Sequence, residues 1–136
     1  MLSDSLKQAV VRLLESEFSG LEFKANLEDD QFVTIRPVWC DFGDVSFLEE
    51  GGQLVIGWGR FTHSHIDSYQ ENHSKHIDEI LDLLRHQLSS VVDDKVAFWG
   101  QSSGGSGGFF FVDHVGSRDD RQPAHLWSGK LFSEPA

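Results

Sequence analysis

The chain has 136 residues, which is the length of one domain by the usual prior of roughly 100–200 residues per domain. With 39% hydrophobic and 24% charged residues, it carries enough apolar side chains for a core. Its 22 acidic and 11 basic residues leave a formal net charge of −11. This balance argues against nucleic-acid and anionic-membrane binding, because both need a basic face, and it allows a basic protein or a cation as partner.

Cysteine usage and the hydropathy pattern predict a cellular location. Cys40 is the single cysteine, so an internal disulfide is excluded and a reducing cytoplasm is expected. No apolar run approaches the roughly 20 residues of a spanning helix. The first residues, MLSDSLKQ, lack the basic-then-apolar layout of a signal peptide. We therefore expect a cytoplasmic protein without a membrane segment.

The first half of the chain predicts a helix followed by strands. Ser3 or Asp4 is the predicted N-cap of the helix, and Gly20 follows its last apolar position. The predicted buried stripe consists of Leu6, Ala9, Val10, Leu13, Leu14 and Phe18. Between residues 21 and 61 the hydrophobic period changes to two, and short turns separate four predicted strands. This pattern predicts an antiparallel meander.

A second amphipathic helix is the clearest element of the second half. Ser68 and Glu71 have the spacing of a capping box at its start. Its predicted buried stripe consists of Ile77, Ile80, Leu81, Leu84, Leu88 and Val91. The periodicity and the cap together predict a helix that lies on the sheet.

The last third of the chain predicts further strands. Strands are expected at residues 95–99 and 109–112, and the second is expected to be central in the sheet because it is apolar on both faces. The run 100–108, GQSSGGSGG, predicts a loop between them. Residues 117–136 are expected to form a less ordered tail with a short strand at 125–127.

The order of these elements predicts the fold class. Hairpin-length connections favour a mainly antiparallel sheet of five to seven strands, and the two amphipathic helices are expected to pack on one face of it. The sequence therefore predicts one α+β domain over residues 1–136.

Two imidazoles at alternate positions of RFTHSHID (60–67) give the most pointed local pattern. If the preceding strand continues this far, His63, His65 and Asp67 share one face and can serve as three ligands of a divalent metal such as zinc, with an open position. His114 is a further candidate ligand. An H-x-H pair alone has low specificity, and the barrel hydrolases that use it need about 200 residues or more. Hydrogen-bonding histidines and no cofactor are therefore the interpretation we favour.

Aromatic and acidic residues predict a protein-binding surface. Trp58 lies between two glycines, so its ring either packs across strands or faces a partner. The acidic rim of such an anchor would come from the turns of the meander, with Asp29, Asp30, Asp41, Asp44, Glu49 and Glu50. Solvated turns explain the same carboxylates without a partner.

The stretch GRFTHSHID (59–67) also resembles a pattern in small bacterial α+β proteins that are grouped with the immunity proteins of toxin competition systems. In those proteins a strand ends in a short histidine-containing stretch and an amphipathic helix follows. The resemblance implies a cytoplasmic domain that neutralises a cognate toxin by binding it. It implies no catalytic residues.

Three functions follow from these patterns. The one we favour is a non-enzymatic, acidic binding protein that contacts a basic protein partner, with toxin neutralisation as its specific form. The first alternative is a small metal-dependent hydrolase built on His63 and His65. The second is a small-ligand binding module, in which the 100–108 loop closes over an aromatic pocket.

Overall fold

The computed structural model describes residues 5–100, 107–112 and 124–130. Two helices and two antiparallel sheets make up this part of the chain. In chain order the elements are α1 (Leu6–Glu17), β1 (Phe23–Ala25), β2 (Gln31–Ile35), a 3₁₀ turn (Cys40–Phe42), β3 (Val45–Glu50), β4 (Gln53–Trp58), β5 (Thr62–Ile66), α2 (His73–Val92), β6 (Val96–Gly100), β7 (Gly107–Phe111) and β8 (Ala124–Leu126). The predicted α+β class is confirmed.

Both helices begin later than the sequence predicts. The N-cap of α1 is Ser5, whose Oγ accepts a hydrogen bond from the Gln8 backbone N–H at 3.2 Å, while Gln8 Oε1 accepts the Ser5 N–H at 3.0 Å. For α2 the N-cap is Asn72. The predicted capping box at Ser68 is wrong, because the Ser68 hydroxyl accepts the Gln70 N–H within the preceding turn.

The apolar stripes of both helices face one hydrophobic core. Those of α1 are buried at Leu6, Ala9, Val10, Leu13 and Leu14, and those of α2 at Ile77, Ile80, Leu84, Leu88 and Val91. The two helices contact each other, and Arg85 of α2 forms an ion pair with Glu17 of α1. The two predicted amphipathic helices and the faces they bury are therefore confirmed, although both begin later than predicted.

The first sheet is a five-stranded meander in the order β1-β2-β3-β4-β5. Each strand pairs antiparallel with the next one, and a bulge interrupts β2 between Gln31 and Val33. The buried side of β3 and β4 carries Val45, Phe47, Leu54, Ile56 and Trp58, which pack in the core with both helices. Because side chains alternate across a strand, the other side of the same strands faces away from that core.

The second sheet has three strands in the order β7-β6-β8. The Phe-rich strand β7 lies at its edge, so the prediction of a central position is wrong. The central strand is β6, where Ala97 and Phe98 are both fully buried. Phe109 on β7 remains 38% exposed, and its ring centroid lies 6.0 Å from that of Phe98 on β6. An apolar run in a strand therefore does not require burial on both faces.

Within the described residues, strands include part of the segments that the sequence assigned to the loop and the tail. Gly100 ends β6, and Gly107 and Gly108 belong to β7, so these glycines of the 100–108 run are strand residues. Part of the expected tail forms β8 at residues 124–126, one residue before the predicted strand. Residues 101–106, 113–123 and 131–136, and the tail prediction that falls on them, lie outside the described residues.

An aromatic cluster joins the two sheets. Phe98 of β6 lies 5.0 Å from Phe42, 5.7 Å from Trp58 and 5.8 Å from Phe61, measured between ring centroids. Trp127, just after β8, packs 5.1 Å from Phe42. Edge-to-face and tilted contacts of this kind stabilise the fold beyond the burial of the rings themselves.

In the described part of the chain, neither helix is both long and apolar enough to cross a bilayer.

Candidate functional site: the outward face and acidic end of the five-stranded sheet

The outward side of the five-stranded sheet presents two cross-strand rows of side chains, which we call the open face. The strand register aligns one row across all five strands and a second row across the last three. Its members are Lys24, Thr34, Ser46, Gly57 and His63 in the first row, and Leu48, Val55 and His65 in the second. These residues are exposed or partly exposed, so the face is accessible to a ligand or partner.

Gly57 makes the centre of the open face shallow. A Cβ at this position would lie 2.6 Å from Ser46 Oγ, so a larger residue would displace the serine on the neighbouring strand. The partly exposed Leu48 and Val55 lie opposite each other in the second row. The centre of the open face is therefore a low, partly apolar surface with polar neighbours.

Strand connectivity gathers several acidic residues at one end of this sheet. In an antiparallel meander, alternate turns lie at the same end, so the β1–β2 and β3–β4 turns are neighbours. Asp67, directly after β5, lies at the same end because Ile66 pairs with Leu54 near the start of β4. The acidic end, as we define it, consists of Glu28, Asp29, Asp30, Glu49, Glu50 and Asp67. All are exposed except Glu49, which is partly buried.

The predicted acidic rim is thus divided between two ends of the sheet. Glu49 and Glu50 belong to the acidic end, whereas Asp41 and Asp44 lie at the opposite end, before β3 begins. The length of β3 separates the pairs by about 17 Å, at roughly 3.3 Å per residue. The backbone carbonyl of Asp41 accepts a hydrogen bond from Arg60 Nε at 2.8 Å.

Asp44 lines a surface groove of about 350 Å³ together with residues of β1 and β2. The groove contains both charge signs, since Lys24 and Arg36 line it alongside Glu22 and Asp44. Arg36 Nη1 lies 3.5 Å from Glu22 Oε2, in an exposed ion pair. This end of the sheet therefore has no uniform negative field, whereas at the acidic end carboxylates predominate and Lys7 Nζ donates to the backbone carbonyl oxygen of Asp29 at 3.0 Å.

Trp58 does not contribute to either surface. Its side chain is 2% exposed and points into the core, and its indole N–H donates to Ser64 Oγ at 2.9 Å. The interpretation of Trp58 as a partner-facing anchor is therefore wrong. Gly57 and Gly59 have no side chains that could pack on the Trp58 ring, but Phe98 of the second sheet packs against it.

The two strand histidines lie together on the open face. A turn at residues 59–61 separates β4 from β5, so the histidines lie on their own strand and not on an extension of β4. His63 and His65 are both exposed, and their ring centroids are 5.1 Å apart. The expectation that they share a face holds in this structure.

Gln53 connects His65 to Asp67. Its Nε2 donates to Asp67 Oδ2 at 3.1 Å, and its Oε1 lies 3.1 Å from His65 Nδ1. Asp67 Oδ1 also accepts the Ser68 N–H at 2.8 Å. Asp67 therefore contacts His65 through Gln53, and His114 lies outside the described residues. Among the described residues, no group of three or more His, Cys, Asp or Glu side chains is arranged to hold a metal ion.

Gln53 is a site residue that no sequence pattern indicated. Its role depends on the register of the β4–β5 hairpin, in which Trp58 pairs with Thr62 and Leu54 with Ile66. Extending that register by one residue brings Gln53 beside Asp67. The sequence signal for this register was Gly59, since a glycine between two strands indicates a turn. In the structure its φ is +56°, a value that favours glycine, and the chain reverses there.

Comparisons with protein-family models, with curated proteins and with solved structures give no match. The resemblance of residues 59–67 to immunity proteins therefore stays a prediction.

Proposed function

We propose that this chain is an acidic, non-enzymatic binding domain whose open face and acidic end together contact a basic partner protein. The observation that carries the proposal is the position of the acidic end beside the second row of the open face, where Leu48 and Val55 are partly exposed. A partly apolar centre with a polar, charged margin is the usual composition of a protein–protein interface.

The size of the sheet supports including the acidic end in the interface. Five strands at about 4.8 Å spacing and five residues at about 3.3 Å cover roughly 400 Å² in projection. A stable interface buries about 800 Å² on each partner. A partner centred on the open face would therefore also contact residues beyond the sheet. For a basic partner, electrostatic attraction favours the acidic end as that additional contact.

Charge supports a basic partner. The chain carries a net charge of −11, and five of the six carboxylates of the acidic end are exposed. Opposite charges across an interface raise the rate of encounter, and added salt screens this effect. Inhibition of a basic toxin is the specific form of this function that the resemblance to immunity proteins implies.

Charge reversal tests the proposal. A partner would first be co-purified from the native cell extract at low salt, then purified and titrated with the wild-type chain. The variant Asp30→Lys/Glu50→Lys reverses two exposed charges of the acidic end. We expect it to bind about tenfold more weakly or worse, and we expect wild-type affinity to fall as salt rises.

The matched control is Glu15→Lys/Asp93→Lys, which changes the net charge equally at exposed positions near the C-terminal ends of α1 and α2. These positions lie away from the acidic end, because both helices begin beside it: Lys7 donates to the Asp29 carbonyl oxygen and the His76 ring contacts the Gly52 carbonyl oxygen. This variant is expected to bind almost as tightly as the wild type. Equal losses in both double variants would show that only the total charge matters, and would overturn the assignment of the surface. The absence of any partner in the low-salt extract would count against the function itself.

A further inference from the structure

The hydrogen bonds around Gln53 determine which ring nitrogen of His65 carries hydrogen. An ionised carboxylate only accepts hydrogen bonds, so the Gln53 group that faces Asp67 is the amide NH₂. The Gln53 carbonyl oxygen then faces His65 Nδ1 and accepts a hydrogen bond from it. Neutral His65 therefore carries its hydrogen on Nδ1, and Nε2 has a free lone pair.

This arrangement is the one that supports metal-binding histidines in proteins. A ligating histidine usually donates from its second ring nitrogen to a carboxylate, a carbonyl oxygen or water, which holds the ring in place. In this chain the acceptor is the carbonyl oxygen of Gln53, and Asp67 orients that amide in turn. With its hydrogen on Nδ1, the exposed side chain of His65 is thus prepared to act as a ligand through Nε2.

The distance between the two rings fits one shared ion. Two imidazoles bound to a tetrahedral ion at about 2.0–2.1 Å have ring centres roughly 5 Å apart. The observed distance between the centroids of His63 and His65 is 5.1 Å, with 71° between the ring planes. Because both residues lie on one face of a strand, the backbone places both rings on the same side of the sheet before any ion binds.

From these contacts we infer that His63 and His65 form a two-imidazole site for a borderline divalent transition metal ion, of the class of Zn²⁺, Ni²⁺ or Cu²⁺. Imidazole nitrogen suits these ions, whereas Mg²⁺ and Ca²⁺ prefer oxygen ligands. Gln53 is a positioning residue in this site, and Asp67 acts on His65 through Gln53. The remaining coordination positions face solvent on the open face. The inference does not depend on the proposed function.

Zn²⁺ titration of the full chain tests the site, with the imidazole resonances and calorimetry as readouts. We expect one ion to bind with shifts at His63 and His65, and we expect His63→Gln and His65→Gln each to weaken binding at least about tenfold. His86→Gln, an exposed histidine of α2, is the control and is expected to leave this site intact. Melting curves without metal verify that the variants are folded.

Gln53→Ala provides a second, metal-free readout. Nitrogen-15 chemical shifts distinguish the two neutral forms of the ring, and we expect hydrogen on Nδ1 of His65 in the wild type and a shift toward Nε2 in the variant. We also expect this variant to bind Zn²⁺ about tenfold more weakly. Absence of Zn²⁺ binding, equal binding by the histidine variants, or hydrogen on Nε2 of wild-type His65 would each overturn the inference.

Discussion

The buried indole of Trp58 and the hydroxyl of Ser64 are joined by a 2.9 Å hydrogen bond between neighbouring strands of the five-stranded sheet. The Ser64 hydroxyl also donates to Gln87 Oε1 of α2 at 3.3 Å. These two contacts satisfy the buried indole N–H of Trp58 and connect the sheet to the helix.

Loss of this hydroxyl is expected to destabilise the fold. Ser64→Ala leaves the Trp58 N–H buried without an acceptor, and we expect the free energy of unfolding to fall by about 1–2 kcal/mol. Urea denaturation measures this value. Ser46→Ala removes a partly exposed hydroxyl from the open face and is expected to change stability by less than about 0.5 kcal/mol. Similar losses in both variants would contradict the role assigned to the Trp58 hydrogen bond.

Gly59 and Gly51 form a matched pair for a test of backbone packing. Their φ values are +56° and +58°, but a Cβ on Gly59 would lie 1.9 Å from the Phe42 carbonyl oxygen, whereas Gly51 has open space. Gly51→Ala is expected to cost about 1 kcal/mol for the left-handed backbone alone. Gly59→Ala is expected to cost about 3 kcal/mol or more, because the backbone must also move. Thermal unfolding of the two variants compares these costs, and equal costs would contradict the close approach.

The ion pair between α1 and α2 predicts a pH-dependent stability. Arg85 donates to both Glu17 oxygens, at 2.7 and 2.9 Å, and these hydrogen bonds lower the pKa of Glu17 below its ordinary value of 4.5. The stabilisation is therefore present above pH 4.5 and is lost as the pH falls through the lowered pKa.

Melting temperatures across the acid range test this dependence. We expect Glu17→Gln to melt below the wild type at neutral pH, and the difference to vanish in acid. Glu15→Gln removes the same charge from the same helix and serves as the control. Because the pair is largely exposed, the expected effect is small and decreases with added salt. A difference that persists unchanged in strong acid would contradict this origin.

The environment of His125 predicts a second loss of stability on acidification, which begins at a higher pH than the loss of the Glu17–Arg85 ion pair. Its ring lies 4.7 Å from Trp39, and burial, followed by the positive charge of Arg60, lowers its pKa from the ordinary 6.5. The folded state therefore disfavours the protonated ring, so stability is complete above pH 6.5 and falls as the pH drops toward the lowered pKa. Denaturation of wild type and His125→Phe at about pH 7.5 and about pH 5.5 compares the two proteins. The variant is expected to lose less stability than the wild type, and equal losses would refute the prediction.

Local patterns determined much of the fold. The helical periodicity predicted ten core residues correctly. Apolar side chains that recur about every 3.6 residues over three or more turns share one face in an α-helix but not in a strand. The meander was predictable for a similar reason, since short glycine-containing and acidic turns between strands of period two favour antiparallel neighbours. The negative charge and the shared face of His63 and His65 also follow from the sequence alone.

Contacts between distant segments decided the rest. Trp58 is buried because Phe98, forty residues later, covers its ring, and no local pattern contains that contact. The acidic turns meet at one end because of the strand order, which also separates Asp44 from Glu50. Gln53 acquires a role only when the hairpin register brings Asp67 beside it. Sequence determines what each segment prefers by itself, whereas long-range packing determines which side chains meet, because those contacts form only when the segments are in place.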